Sequence, residues 1–261
     1  MSKDIFAKRS RSMLMILLLA IALYAVSSLI VNFKAGTALS SIPMACVWLV
    51  KNFLPSARAI KYLPYIFEKL VQTILMSVAA TSTAAVFALL VAVLGSRATG
   101  INKPMKAFAR IIASFFRNLP LVAWAMILLL SFKQNEFTGY LAIFFTSFGY
   151  LTRSFMETID EAAGGTIEAL TATGASYFQI IFQGVIPMVS SQLISWLLYM
   201  IENNVRDATL VGLLTGAGIG FLFDLFYKRF MYDVAGTVTL FIVAVVICLE
   251  LLSNKIRRMI L

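Results

Sequence analysis

Residues 70–96 read LVQTILMSVAATSTAAVFALLVAVLGS, 27 consecutive positions without a charged side chain. About 20 apolar residues, at ~1.5 Å each, cross the ~30 Å hydrocarbon core of a bilayer, so this stretch alone is long enough to span one. The whole 261-residue chain has the same character, being 61% hydrophobic and 13% charged, with a mean hydropathy of +0.90. A soluble domain is typically about 25% charged, and a globule of this composition would leave large apolar patches in water. The fold class expected is therefore an all-α polytopic membrane protein.

Working outward, the other uncharged runs are 13–31, 137–152 and 169–201, with Arg117 alone interrupting 111–132 and with Asp233 and Glu250 bracketing another. They predict six transmembrane helices, at 13–31, 68–95, 108–132, 137–152, 186–203 and 235–253. Basic residues at Lys3, Lys8, Arg9 and Arg11, and again at Lys255, Arg257 and Arg258, place both termini in the cytoplasm, which requires an even number of spans. The first run is 19 residues long and lacks a small-x-small cleavage pattern, so it reads as an anchor and not as a signal peptide. Residues 42–54 are apolar but short and contain Lys51, which suits an interfacial helix; if they crossed, the topology would flip. Gly212, Gly216, Gly218 and Gly220 favour a break within 208–223. The expected division is 1–66, an N-terminal helix and interfacial segment, and 67–261, the main transmembrane domain with a cytoplasmic loop at 153–185.

Composition also excludes chemistries. With no histidine, His-based zinc sites and triads are unavailable. Cys46 and Cys248 lie far apart in apolar surroundings and read as buried small hydrophobes, neither a redox pair nor a metal knuckle. The +10 charge is scattered over loops and helix ends facing lipid head groups, which argues against nucleic acid as a partner.

The loop 153–185 is different. No Lys or Arg occurs between Arg153 and Arg206, while Glu157, Asp160, Glu161 and Glu168 all fall in the loop. A tether needs only a few residues, and an interfacial helix normally meets anionic lipid with Lys or Arg. An acidic, helix-forming stretch interrupted by Gly164-Gly165 and Gly174, with Pro187 restarting a helix, fits a docking element for a basic partner groove.

Glu168-Ala169-Leu170, three residues, Gly174-Ala175-Ser176, then Val185-Ile186-Pro187 resembles the EAA loop of ABC importer permeases in its Glu-to-Gly-to-Pro spacing. It departs by Leu170 at the third triplet position, Gly184 where Ile is usual, and Ile186 for Leu. Arg117-Asn118-Leu119-Pro120-Leu121-Val122-Ala123-Trp124-Ala125, the run 168–176, Glu202-Asn203-Asn204-Val205-Arg206-Asp207-Ala208-Thr209 and the stretch 211–220 are similar to segments of the phosphonate permease branch, from about residue 60 to 258. An acidic residue usual in the Arg117 segment is absent here.

The resemblance implies a type I ABC importer permease fold in a bacterial inner membrane. It implies that Glu168, Ala169, Leu170, Gly174, Ala175, Ser176 and Pro187 form the coupling surface for a cytoplasmic ABC ATPase dimer. It also implies a second permease copy, an extracytoplasmic substrate-binding protein and a small phosphorus oxyanion as cargo. The chain has no GxxxxGK[ST] phosphate loop, so ATP belongs to the partner and no cofactor is expected in this chain. Ionisable groups in spans are costly and commonly line a polar path, which singles out Arg117, Glu202 and Arg206 as pathway residues, with Asn203 beside them in the same resembling segment. The competing reading puts Arg117 near the start of one span and Arg206 at the end of another, snorkelling, with Glu202 and Arg206 paired at i, i+4. A methionine or amino-acid permease is the nearest alternative. A membrane-embedded enzyme lacks clustered catalytic groups, and a passive channel has no use for the acidic loop.

Overall fold

The computed structural model describes residues 2–260, with side chains from residue 9 onward. Met1 and Leu261, the ends expected in the cytoplasm, lie outside the described residues, as do the side chains of Lys3 and Lys8. Every regular element among the described residues is helical. The chain divides between Asn52 and Phe53 into two compact units.

The first unit holds α1 (Ser2–Ile30) and nearly all of α2 (Ala35–Phe53). From Arg9 to Ile30, α1 is long and apolar enough to cross a bilayer, and its Leu17, Leu19 and Ile21 are exposed as lipid-facing side chains would be. The apolar stretch at 42–54 belongs to a longer helix than expected, which contains Pro43 and places Lys51 in its last turn, where a cation faces the free carbonyls.

The second unit contains α3 (Ala57–Ile60), α4 (Leu63–Gly95), α5 (Lys103–Asn118), α6 (Leu121–Phe132), α7 (Glu136–Ala162), α8 (Gly164–Ala172) and α9 (Tyr177–Gln179). A π-helical turn at Ile180–Val185 then leads to α10 (Ile186–Thr215), α11 (Gly218–Lys228) and α12 (Tyr232–Ile260). The buried face of α4 reads Thr73, Ser77, Ala80, Thr81, Ala84, Ala88, Ala92 and Gly95. Small side chains at three- and four-residue steps let neighbouring backbones approach closely, the usual solution where lipid supplies no hydrophobic drive between helices. What approaches is α7, which also receives α5, α6 and α10 and so sits at the centre.

That position explains why the expected count of six spans is not reached on length and composition. Among the described residues four helical stretches qualify, Arg9–Ile30, Leu63–Gly95, Tyr177–Thr215 and Tyr232–Ile260, and a bent pair, α5 with α6, makes a fifth if it is one span. Helix α7 is too polar to qualify, but a helix surrounded by other helices needs no lipid-like face. Its hydroxyls are satisfied along the helix, Thr152 Oγ1 donating to the Phe148 carbonyl at 2.6 Å and Thr158 Oγ1 to that of Ser154 at 2.9 Å.

Three expectations need correction. Residues 108–132 are not one continuous helix: α5 and α6 meet at 90°, because Pro120 has no N–H to donate and drives Leu119 out of the helical region, to φ −91°, ψ 121°. Residues 186–203 do not end a span, since α10 continues through Glu202, Arg206 and Asp207 to Thr215 and stops only at Gly216, φ 70°. The break expected in the glycine run is therefore a tight turn into α11, where the Ile219 N–H is caught by Thr73 Oγ1 at 2.8 Å. Finally, Cys46 and Cys248 are free and exposed, not buried; in a chain of this kind apolar neighbours in sequence mark a lipid-facing surface as readily as a protein core.

At the start of α12, Asp233 accepts from Ser56 and pairs with Arg58, closing α3 onto that helix end. The hydrogen bond to Asp233 raises the Arg58 guanidinium above its ordinary pKa.

Candidate functional site

The segment expected as a loop begins inside α7, whose Arg153 Nε donates to Glu157 Oε1 at 2.6 Å. The helix ends at Ala162, and Gly164-Gly165 open α8 instead of interrupting it. Glu168 and Ala169 are exposed on α8, while Leu170 is half-buried. Helix α8 stops in a Schellman arrangement, the Ala175 N–H reaching the Leu170 carbonyl at 3.1 Å and the Gly174 N–H that of Thr171 at 3.0 Å. This closure needs a left-handed residue, and Gly174 supplies it with φ +80°. Ser176 then starts α9, its backbone N–H and hydroxyl both donating to Gln179 Oε1, at 2.8 and 2.9 Å. Pro187 lies exposed just after the π-helical turn, so the expected restart of a helix there is a continuation: the helical stretch runs from Tyr177 through Pro187 to Thr215.

Two side chains fold this unit back on itself. A Cβ at Gly184 would lie 2.5 Å from Leu170 Cδ1, so the leucine occupies space that a side chain at 184 would need. Just before α8, Asp160 accepts from Ser96 Oγ at 2.5 Å and from the N–H groups of Arg97 and Ala98 at 2.6 and 3.2 Å, with Arg110 Nη2 3.8 Å away. The end of α7 is thereby tied to the turn between α4 and α5. Sequence reasoning counted Asp160 only as one more acidic charge; nothing in the local pattern marks its partners, which lie about 60 residues away.

The second group of candidate residues lies along α10. Glu202, whose side chain is 11% exposed, faces Arg206 Nη2 at 3.5 Å and Arg257 Nη2 of α12 at 3.2 Å. The i, i+4 pair expected is present, and Arg257 makes it a cluster of two guanidiniums and one carboxylate. Asn203 accepts from Arg206 Nη1 at 3.3 Å through Oδ1 and donates to the Tyr199 carbonyl at 3.1 Å. On the opposite face of α10, Asn204 is buried and donates to Thr81 Oγ1 of α4 at 2.7 Å and Ser147 Oγ of α7 at 2.6 Å. This buried amide fixes α10 against both neighbours and so orients the charged face outward. It was missed as a separate candidate, although a polar pair Asn203-Asn204 inside an apolar run is the signal that finds it.

Arg117 stands at the end of α5, just before the 90° bend, with its guanidinium 5.9 Å from the Tyr150 ring centroid. Its backbone lies so close to Gly149 that a side chain there would strike Arg117 N and Phe116 C. Tyr150 in turn packs on Trp196 and Tyr199, with ring centroids 6.0 and 6.2 Å apart. An aromatic group thus stands between Arg117 and the α10 cluster. The four candidate pathway residues do not touch as a set: three share α10, and Arg117 joins them through rings.

Residues 84–260 match the family of binding-protein-dependent transport system inner membrane components, a region that begins in α4, ends in α12 and includes both groups of residues. The chain belongs to this family. The permease is 30% identical over 191 residues, 73% of its own length, to the phosphate-import permease protein PhnE of Mycolicibacterium smegmatis, and spans 36% of that longer protein. It is 28% identical over 259 residues, 98% of its length and 89% of the relative's, to a putative phosphite transport system permease protein HtxC of Stutzerimonas stutzeri. In fold it is similar to a crystal structure of an amino acid ABC transporter with histidines, with a TM-score of 0.64, 18% identity, and coverage of 76% of this chain and 95% of the other. The type I permease fold is shared despite that distance. In the permease, two of the three departures from the EAA pattern, Leu170 and Gly184, are partners in space.

Proposed function

We propose that this permease is the translocating subunit of an importer for a phosphorus oxyanion, a phosphonate or the smaller phosphite or phosphate. We further propose that it pairs with a second copy of itself, receives cargo from an extracytoplasmic binding protein and is driven by a cytoplasmic ATPase dimer. Both of its ends then lie in the cytoplasm. The single observation that carries the reading is the exposed unit built on α8 and the Gly174 turn, set between two long packed helices. Relatives named for phosphate import and phosphite transport support the cargo class.

On this reading, Glu168 and Ala169 enter a cleft of the ATPase. Leu170 and Ala175 hold α8 onto the body, Gly174 and Ser176 set the turn that closes it, and Pro187 sets the direction of α10. ATP is bound by the partner, whose closure displaces α8. Helix α8 follows α7 with only Ala163 between them, and Asp160 ties α7 to the α4–α5 turn. Displacement at α8 therefore passes to α4, α5, α7 and α10 together, as rocking between inward-open and outward-open arrangements requires. Arg117, Glu202, Asn203 and Arg206 line the path of the anion. Their net positive charge, two guanidiniums against one carboxylate, attracts an oxyanion while Glu202 keeps the attraction weak enough for release.

The test is ATP hydrolysis by the reconstituted complex with its binding protein, across phosphite, a phosphonate, phosphate and methionine. Stimulation by a phosphorus oxyanion is expected. Stimulation by methionine alone would overturn the cargo, and no dependence of hydrolysis on the permease would overturn the coupling.

A further inference from the structure

Helix α5 carries three kinds of face. At the 3.6-residue period, Ala109 and Ala113 are buried against the bundle, Phe108, Ile111 and Phe115 recur on a second face, and Lys103, Lys106 and Arg110 on a third. The second face is bare, its three side chains being 62%, 67% and 57% exposed. The cations lack balance along the chain, since no Asp or Glu occurs between Glu68 and Glu136. Two of them are engaged: Arg110 Nη2 stands 3.8 Å from Asp160 of α7, and Lys106 Nζ donates to the Arg97 carbonyl at 2.7 Å, its stem lying over Gly100. Lys103 and the neighbouring Arg97 are left exposed, with no ion pair or side-chain hydrogen bond among the described residues.

Their order along the chain decides what covers this edge. Lys103 opens the helix, Arg97 precedes it, and the bare side chains follow about 8 to 18 Å further along the axis, at ~1.5 Å per residue. Cations at the end and apolar groups deeper match the profile of a lipid leaflet, headgroup phosphate above acyl chains. A partner protein in water would cover the charges and leave Phe108, Ile111 and Phe115 bare. The cytoplasmic leaflet is the anionic one and attracts Lys and Arg beside a span. We infer that this edge of α5 docks on anionic phospholipid of the cytoplasmic leaflet, with Phe108, Ile111 and Phe115 against acyl chains and Arg97 and Lys103 against headgroup phosphate. Asp160 accepts from the N–H groups of Arg97 and Ala98 at 2.6 and 3.2 Å, so the turn that the lipid holds is the turn that α7 grips. Bound lipid therefore braces α5 while α8 moves, and coupled hydrolysis rises with it. The cytoplasmic side of this turn and the coupling rest on the reading above; the lipid contact needs neither cargo nor ATP.

The experiment uses the permease–ATPase complex in phosphatidylcholine nanodiscs carrying a trace of photoactivatable phosphatidylglycerol or photoactivatable phosphatidylcholine, with the labelled residues mapped by mass spectrometry. The phosphatidylglycerol probe is expected to label residues 97–115 at least fivefold more than the phosphatidylcholine probe. Arg97→Gln combined with Lys103→Gln should abolish that preference, while Lys61→Gln, at the end of α3, leaves it unchanged. Neither exposed side chain holds the fold, and thermal unfolding of each variant checks this. Equal labelling by the two probes, or a preference that survives in the double variant, overturns the inference. Labelling that appears only once the ATPase is removed assigns the surface to that subunit and overturns it too. Hydrolysis, read in parallel, should rise with the phosphatidylglycerol fraction in the wild type and stay flat in the double variant; preferential labelling without such a rise overturns the bracing. Hydrolysis indifferent to phosphorus oxyanions, with the labelling preference intact, sinks the cargo reading alone.

Discussion

The unit at 164–187 and the charged face of α10 are both polar interruptions in an apolar chain, yet they are built in opposite ways. The first is made of contacts between near neighbours in sequence: a Schellman closure, a serine cap and a leucine over a glycine. It holds its own shape and leaves Glu168 and Ala169 exposed. The second is made of contacts between distant segments, Glu202 with Arg257 and Asn204 with Thr81 and Ser147. A self-contained unit transmits force as a rigid body, whereas a shared cluster changes whenever α10 and α12 move against each other. That difference is why we propose coupling for the first and passage for the second.

The largest effect is expected from Glu202→Gln. Removing the carboxylate leaves Arg206 and Arg257 facing each other, at a cost of about 1–3 kcal/mol, less than for a fully buried pair because Arg206 is half exposed. Uptake should fall at least about tenfold while the ATPase subunit still copurifies; if copurification is lost instead, the division of labour is wrong. Asn204→Leu strips two hydrogen bonds and crowds a closed interface, and unfolding in detergent should show a loss of about 1–3 kcal/mol. Equal stability would mean that the amide does not position α10.

Smaller effects belong to the self-contained unit. Gly174→Ala forces a side chain into the left-handed region, which costs about 1 kcal/mol; it should slow coupled transport with little change in oxyanion binding. Gly184→Ala places a methyl against Leu170, and Leu170→Ala makes room for it. In a double-mutant cycle the two should depart from additivity by about 0.5–1 kcal/mol, the double variant being more stable than the sum predicts. Strict additivity would show that these two positions do not compensate.

Much of this was legible in the sequence, unevenly. The shape of the α8 unit was readable because its determinants are local: Gly174 and Pro187 act on the backbone wherever they occur, and the acid-rich, base-free stretch needs no partner to be noticed. The bend at Pro120 was equally local but was overridden by the attraction of a long apolar run. Helix α7 stands out in the sequence only by its uncharged 16 residues, because a helix buried among helices loses the lipid-facing pattern that marks the others. The end of α10 is hidden in the sequence because its charges look like the end of a span, and only the fold shows Arg257, 55 residues on, neutralising Glu202. Asp160 is silent for the same reason, and Asn204 shows only as half of the polar pair Asn203-Asn204, with its partners hidden.

The central claim, that the α8 unit is where the ATPase engages, is tested most directly by placing a photo-crosslinking residue at position 168 in the assembled complex, with the same residue as control at Asp224, which pairs with Lys228 on α11. The account predicts a crosslink from 168 to the ATP-binding subunit that shifts with nucleotide, and none from 224. A complex that hydrolyses ATP normally yet gives no crosslink from 168 would contradict it.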